Sequence, residues 1–190
     1  MKTFRAFLSI ILFSLMTVNI GMTQGTMETP VRFVVLGDRT GGHVPGIFGQ
    51  VCTEVVRLRP DFVTMVGDMI EGYTDDSVRI KTEWAEFDSL CEIFTMPFYR
   101  TVGNHDILDS TDEYWYRKLV GEPYFSYDYG GLHFISIDNP RWDSTSEFMA
   151  DSANQEQIDW LIADLEKSKD AAYTFVYMHI PFWYFSLSSH

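Results

Sequence analysis

The sequence is poor in basic side chains. Its 190 residues include 14 Lys and Arg against 27 Asp and Glu, which gives a formal net charge of −13 at pH 7. A protein that binds duplex nucleic acid neutralises phosphates with Lys and Arg, and an acidic surface repels them. We therefore expect no nucleic acid duplex among its partners.

Internal repeats and low-complexity runs are absent from the sequence, and cysteine is scarce. Cys52 and Cys91 are the only cysteines. Both fall in helix-like stretches among apolar neighbours, so two buried free thiols are an alternative to the disulfide that an exported protein can form. A hydrophobic content of 46% over this length predicts one globular domain with its own core.

The N-terminus has the pattern of a targeting segment. Lys2 and Arg5 precede a mostly apolar run over residues 6–20, and small residues follow. This order is typical of a secretory signal peptide, and the run is short for a membrane-spanning helix. We predict a signal peptide at residues 1–24, a linker at residues 25–30 and a secreted or periplasmic protein without a stable membrane anchor after cleavage. The alternative is an uncleaved anchor.

Short apolar runs alternate with helix-like segments along the rest of the chain. The predicted strands are residues 31–36, 62–66, 98–102, 124–129, 132–137 and 173–178. The predicted helices are residues 45–58, 77–94, 111–120 and 154–168. Alternation of this kind is typical of an α/β fold, and Gly130-Gly131 indicates a hairpin between two of the strands.

Four of these strands are followed by polar residues that can bind metal. Asp38, Asp68, Asn104 and His179 each come just after an apolar run. Open α/β sheets place their chemistry at the carboxyl ends of strands, so we expect these side chains to converge at one edge. Oxygen and nitrogen donors suit hard or borderline divalent ions, and a pair of metals can activate water against a phosphorus centre.

The order of these motifs resembles the calcineurin-like metallophosphoesterases. The resemblance runs over residues 31–181, and Gly103-Asn104-His105-Asp106 is its most specific part. It implies an α/β sandwich of two β-sheets flanked by helices. It also implies hydrolysis of a small phosphate ester at a site of two metal ions, for which manganese, iron and zinc are all candidates. It does not identify the ester, which can be a monoester, diester, nucleotide, phosphoprotein or lipid.

The resemblance implies a role for each motif residue. Asp38 would bind the first metal and Asp68 would bridge both metals. Asn104 and His179 would bind the second metal.

Three further residues are predicted to be catalytic. His105 would assist the leaving group, and Asp106 would orient its imidazole. Arg39 would bind the phosphate beside the metals, although pairing with a surface carboxylate is an equal alternative.

Two departures from the family pattern affect this prediction. The first motif is usually Asp-x-His, whereas this chain has Asp38-Arg39-Thr40, and His43 is a weak candidate to replace the missing imidazole. No Gly-His-x-His segment follows His179, so we expect a C-terminally incomplete domain over residues 31–190. Both departures support an alternative function, a non-catalytic phosphate- or metal-binding protein on the same scaffold. The aromatic residues 183–185 are expected either to line a substrate entrance or to belong to the core.

Overall fold

The computed structural model of the protein describes residues 30–139 and 152–181, with the side chains of 152–154 excepted. The predicted signal peptide, residues 25–29 of the predicted linker and the aromatic residues 183–185 lie outside this part of the chain. All six predicted strands and four predicted helices are present within it. None of the helices in these two ranges is long and apolar enough to cross a membrane.

The first sheet is entirely parallel. Its strands are β1 (Phe33–Leu36), β2 (Phe62–Val66) and β3 (Phe98–Thr101), and they lie side by side in that order. A helix follows each strand, and these helices are α1 (Ile47–Leu58), α2 (Ser77–Cys91) and α3 (Ser110–Leu119).

The second sheet is mixed. It contains β4 (Phe125–Tyr129), β5 (Leu132–Ser136) and β6 (Thr174–Tyr177) in that spatial order, and α4 (Ser152–Lys167) connects β5 to β6. β4 and β5 form the predicted antiparallel hairpin, whereas β6 runs parallel to β5. The expected α/β class with two sheets is therefore confirmed.

Local hydrogen bonds explain where the helices begin and end. The Asp76 carboxylate accepts from backbone N–H groups in the first turn of α2, and Asp109 does the same for α3. α2 ends three residues before the predicted position. There the Phe94 N–H donates to the Cys91 carbonyl and closes a turn, and Pro97 lies just beyond.

The two faces of β2 contribute to two different cores. Val63 and Met65 pack against α1, α2 and α3 in a core that includes the fully buried Trp84 and Phe87. Phe62, on the opposite face, packs against residues of the second sheet. Because successive side chains of a strand point to opposite faces, this one strand joins the helical layer to the sheet–sheet layer.

Aromatic rings fill the space between the two sheets. Phe62 stacks on Phe33 with ring centroids 5.1 Å apart and meets Phe134 of β5 edge-on at 5.0 Å. Phe134 in turn stacks on Phe175 of β6 at 5.2 Å. Each ring buries a large apolar area and has a preferred packing angle, so these contacts fix the second sheet against the first.

The two cysteines meet where α1 packs on α2. Cys52 and Cys91 are both buried and both free. The structure therefore has the free-thiol form of the two alternatives that the sequence left open.

Candidate metal centre

The four residues predicted to converge lie together in the structure. Asp38 and Asp68 follow the ends of β1 and β2 by two residues, and Asn104 follows the end of β3 by three. His179 follows the end of β6 by two residues. Since β6 belongs to the second sheet, the site lies at the carboxyl edge where the two sheets meet.

Two glycines allow these strand ends to approach one another. A Cβ on Gly67 would lie 2.6 Å from Nδ1 of His179 and 2.7 Å from the Cα of Gly103. A Cβ on Gly103 would lie 2.3 Å from both N and Oδ1 of Asp68. Real Cβ atoms do not approach other atoms so closely, so each motif needs its glycine directly before the polar residue.

The polar atoms of the cluster lie within a few ångströms of one another. One ligand atom from each of Asp38, Asp68 and His179 falls within 4.8 Å of the other two. Nε2 of His179 lies 3.0 Å from Oδ1 of Asn104 and 3.3 Å from Oδ1 of Asp68. Asp38 is the most exposed of the four, at 60% of its side chain, so the cluster opens to solvent on its side.

The orientation of the His179 ring is fixed by its other nitrogen. Nδ1 donates a hydrogen bond to the Val66 carbonyl oxygen at 2.8 Å. This leaves Nε2 pointing at the oxygen atoms of Asp68 and Asn104. A backbone carbonyl bound to one ring nitrogen is the usual way in which a metal-binding histidine is oriented.

Asp68 and His179 shift one another's protonation. Burial would lower the pKa of His179, but hydrogen bonds to Asp68 and Val66 outweigh it and raise this pKa to about 9. Burial would likewise raise the pKa of Asp68, but the His179 hydrogen bond and the backbone N–H of His105 lower it overall. In the metal-free protein a proton on Nε2 therefore supplies the positive charge between the oxygen atoms.

Asp106 has a different environment from the expected one. Both of its carboxylate oxygens accept hydrogen bonds from backbone N–H groups, at 2.8–3.3 Å, and it is fully buried. The donors are Asp68, Met69, Ile70 and Gly103. Burial raises the pKa of Asp106 to about 7, against the lowering effect of these bonds. The carboxylate thus links the loops after β2 and β3.

His105 is oriented by a backbone group rather than by Asp106. Its Nδ1 hydrogen-bonds to the Glu71 carbonyl oxygen at 2.7 Å, which requires the proton to be on Nδ1. Its backbone N–H donates to Oδ1 of Asp68 at 3.1 Å. The imidazole therefore lies beside the cluster, and the Glu71 carbonyl binds its Nδ1 and not its Nε2.

Arg39 turns into the protein instead of facing the cluster. Its guanidinium donates to the Met69 carbonyl at 3.0 Å and forms an ion pair with Glu86 of α2. Two alternatives were predicted for Arg39, phosphate binding and pairing with a surface carboxylate. The structure shows the pair with a carboxylate, that of Glu86. Thr40 also forms hydrogen bonds within the loop, because its backbone N–H and its hydroxyl both donate to the Asp68 carbonyl oxygen at 3.2 Å.

His43 does not join the cluster as a substitute ligand. Its Nδ1 lies 3.0 Å from the Glu71 carboxylate, and both side chains are partly exposed. Among the described residues, the group of acidic and histidine ligands that could share one ion consists of Asp38, Asp68 and His179.

Two residues at the site were not assigned a role from the sequence. The Asn139 side chain hydrogen-bonds both the N–H and the carbonyl of Ile180, which fixes the backbone directly after His179. Tyr73 contacts Asn104 and His105. Neither residue belongs to a strand-end motif, so the motifs in the sequence did not predict their roles.

Comparisons with known proteins agree with this architecture. The calcineurin-like phosphoesterase family matches the chain over residues 31–189. The fold is similar to the crystal structure of a dimetal phosphatase from Danio rerio, with a TM-score of 0.55 and 13% sequence identity, over 80% of this chain and 70% of that one. At this identity the similarity concerns the fold alone. A comparison with curated proteins gives no significant match.

Proposed function

Because the chain belongs to the calcineurin-like phosphoesterase family, we propose that it is a metal-dependent hydrolase of small phosphate esters. The observation that carries the proposal is the convergence of oxygen atoms from Asp68 and Asn104 on Nε2 of His179, with Asp38 adjacent. Carboxylate, amide and imidazole donors in one partly buried cluster suit a divalent cation. The predicted N-terminal segment supports a secreted or periplasmic setting as part of the proposal.

In this proposal the four cluster residues would hold two metal ions. Asp68 would be shared, Asn104 and His179 would complete one position, and Asp38 would belong to the other. When bound, such ions offset charge on the phosphoryl oxygens and make water more acidic. Manganese, iron and zinc all remain candidates.

The residues around the cluster would then position and protonate the substrate. His105 lies next to Asn104 with Nδ1 of its ring held by the Glu71 carbonyl. In its doubly protonated form the ring would donate a hydrogen bond or proton from Nε2 to the leaving oxygen. Arg39, paired with Glu86, would act indirectly, by fixing the loop that carries Asp38.

A second candidate is a metal- or phosphate-binding protein without turnover. The observation in its favour is the environment of Thr40, which occupies the position of the usual histidine and whose hydroxyl is already bonded to the Asp68 carbonyl. The position of Asp38 therefore has fewer donors than the position of His179. One tightly bound ion and no hydrolysis would support this candidate.

A metal titration combined with an ester assay tests the proposal. The full chain would be titrated with Mn²⁺ or Zn²⁺ and assayed with p-nitrophenyl phosphate and bis(p-nitrophenyl) phosphate. Asp68→Ala should abolish both metal binding and turnover. His105→Ala should retain the metal and lower kcat by roughly 10²–10⁴-fold, as for loss of a general acid. Asp75→Ala, an exposed acid in the same loop region, should change neither.

Two results would contradict the proposal. Absence of hydrolysis with both ions bound would leave only the binding function. Loss of metal in His105→Ala would show that His105 is a ligand and not a proton donor.

A further inference from the structure

Tyr73 has a backbone conformation that tyrosine rarely adopts. Its φ is +50°, in the left-handed region, where a bulky side chain is an outlier. The preceding residue, Gly72, has no room for a side chain, since a Cβ there would lie 1.8 Å from the His105 carbonyl oxygen. The Gly72 N–H also donates to Glu83 of α2 at 2.9 Å. The turn is thus held from both sides, and strained residues of this kind concentrate at functional sites.

The side chain of Tyr73 contacts one residue of the metal cluster, Asn104, and the residue next to it, His105. Its hydroxyl accepts a hydrogen bond from Nδ2 of Asn104 at 2.6 Å. Its ring meets the His105 imidazole edge-on, with centroids 4.4 Å apart. Burial does not explain this placement, because about half of the tyrosine, 49%, is exposed.

The contact with Asn104, together with that of His179, sets which end of the amide faces the cluster. An amide carries one oxygen that can bind a cation and one NH₂ group that cannot. Because Tyr73 accepts from the NH₂ group, the oxygen points the other way, to 3.0 Å from Nε2 of His179. The protonated Nε2 of His179 favours the same orientation, and when a metal takes the place of that proton the Tyr73 hydroxyl is the remaining hydrogen-bond partner of the amide among the described contacts.

We propose that Tyr73 is a positioning residue that holds the Asn104 amide with its oxygen toward the Asp68–His179 cluster. This inference rests on the proposed metal-dependent function and adds the determinant of ligand orientation. The ring would additionally restrain the His105 imidazole at the rim of the site.

The test compares Tyr73→Phe in two backgrounds. In the full chain, Tyr73→Phe should weaken Mn²⁺ binding by roughly 10–100-fold, as is typical for loss of a group that orients a ligand. In an Asn104→Asp background the same change should have no effect on affinity, since a carboxylate presents an oxygen in either orientation. Tyr114→Phe is the matched control, because its hydroxyl is also exposed and contacts only Lys118 among the described hydrogen bonds.

Calorimetric Mn²⁺ titration and thermal unfolding of each variant separate the outcomes. An unchanged affinity in Tyr73→Phe would overturn the proposal, and so would an equal loss in both backgrounds, which indicates a general structural effect. If the unsubstituted chain neither binds Mn²⁺ nor hydrolyses either ester, the proposed function itself fails. Normal binding by the unsubstituted chain and by Tyr73→Phe rejects only the role of Tyr73.

Discussion

At the residue scale, His179 shows how the cluster is prepared for a cation. Its Nε2 faces two acceptors and its Nδ1 is occupied by the Val66 carbonyl. Oxygen atoms gathered around one point repel one another unless a positive charge lies between them. The imidazolium supplies that charge in the metal-free state, so a metal ion and a proton compete for the same position.

Metal affinity should therefore depend on pH. The pKa of His179 is raised to about 9, so the ring carries a proton at neutral pH that a metal must displace. We expect Mn²⁺ affinity to increase by up to about tenfold per pH unit as pH rises toward 9. Titration calorimetry at pH 6.5, 7.5 and 8.5 measures this. His43→Ala, which lies outside the cluster, should keep the same slope, and an affinity independent of pH would contradict the prediction.

Asp106 should matter for stability more than for proton transfer. Its carboxylate accepts four backbone hydrogen bonds, whereas an amide offers one oxygen and brings two donors of its own. Asp106→Asn should lower the free energy of unfolding by about 2–4 kcal/mol, because buried N–H groups lose their acceptor. Urea denaturation with the exposed Asp75→Asn as control checks this. A normal stability with reduced turnover would instead support the role first expected, orientation of His105.

At the element scale, α4 is attached to the second sheet by a polar cluster. His133 of β5 is buried between Asp164 of α4 and Asp128 of β4, with its ring nitrogens 2.8 and 2.7 Å from their carboxylates. Ser126 donates a further bond to Asp164 at 2.7 Å. Two carboxylates around one imidazole favour its charged form, so the attachment of this helix depends on protonation.

This cluster predicts a pH-dependent contribution to stability. Burial would lower the pKa of His133, but Asp128 and Asp164 outweigh it and raise this pKa above its usual range. The contribution is thus complete below about pH 6.5, the unfolded value, and is lost as pH rises through the folded pKa. His133→Gln should cost about 1–3 kcal/mol at pH 6 and less at pH 9.

Denaturation of the unsubstituted chain and of His133→Gln at pH 6 and pH 9 measures the difference in their free energies of unfolding. His43→Gln is the control, because its pair with Glu71 is partly exposed and should contribute less than about 1 kcal/mol. An equal loss at pH 6 and pH 9 would show that the charge of His133 is irrelevant.

At the scale of the whole molecule, the cluster depends on how the two sheets pack. Asp38, Asp68 and Asn104 follow strands of the first sheet, and His179 follows a strand of the second. Within the described part of the chain, the aromatic layer around Phe62, a hydrogen bond from Ser136 to Thr101 and the loop contacts at the site hold His179 in place relative to the others. Packing and metal binding should therefore be coupled.

Phe62→Ala tests this coupling. Loss of a fully buried phenyl ring should reduce the free energy of unfolding by about 3–5 kcal/mol and should also weaken Mn²⁺ binding. Phe87→Ala is the matched control, since it is equally buried but lies in the core between the first sheet and the helices. Phe87→Ala should destabilise the protein as much as Phe62→Ala does but should weaken Mn²⁺ binding less. Both affinities would be measured at a temperature where both variants are folded. Equal effects on affinity would argue against the coupling.

The sequence alone was sufficient for the order of elements and for the composition of the cluster. Apolar runs of strand length and helix-spaced apolar residues predicted every strand and helix, because local periodicity reflects which face is buried. Asp38, Asp68 and Asn104 could be predicted as neighbours because the carboxyl ends of parallel strands share an edge. His179 follows a strand of the second sheet, so its place beside them depends on how the two sheets pack.

Only the tertiary structure decided the partners of the remaining side chains. Arg39 turned toward Glu86, Asp106 toward backbone N–H groups, and Tyr73 toward Asn104. Arg39 and Glu86, Asp106 and Asp68, and Tyr73 and Asn104 are each more than 30 positions apart in the chain. The hydrogen-bond partners at the site depend on the geometry of the loops, which is set by close packing at Gly67 and Gly103. Loop geometry of this kind produces no periodic pattern of apolar residues, so the sequence does not predict it.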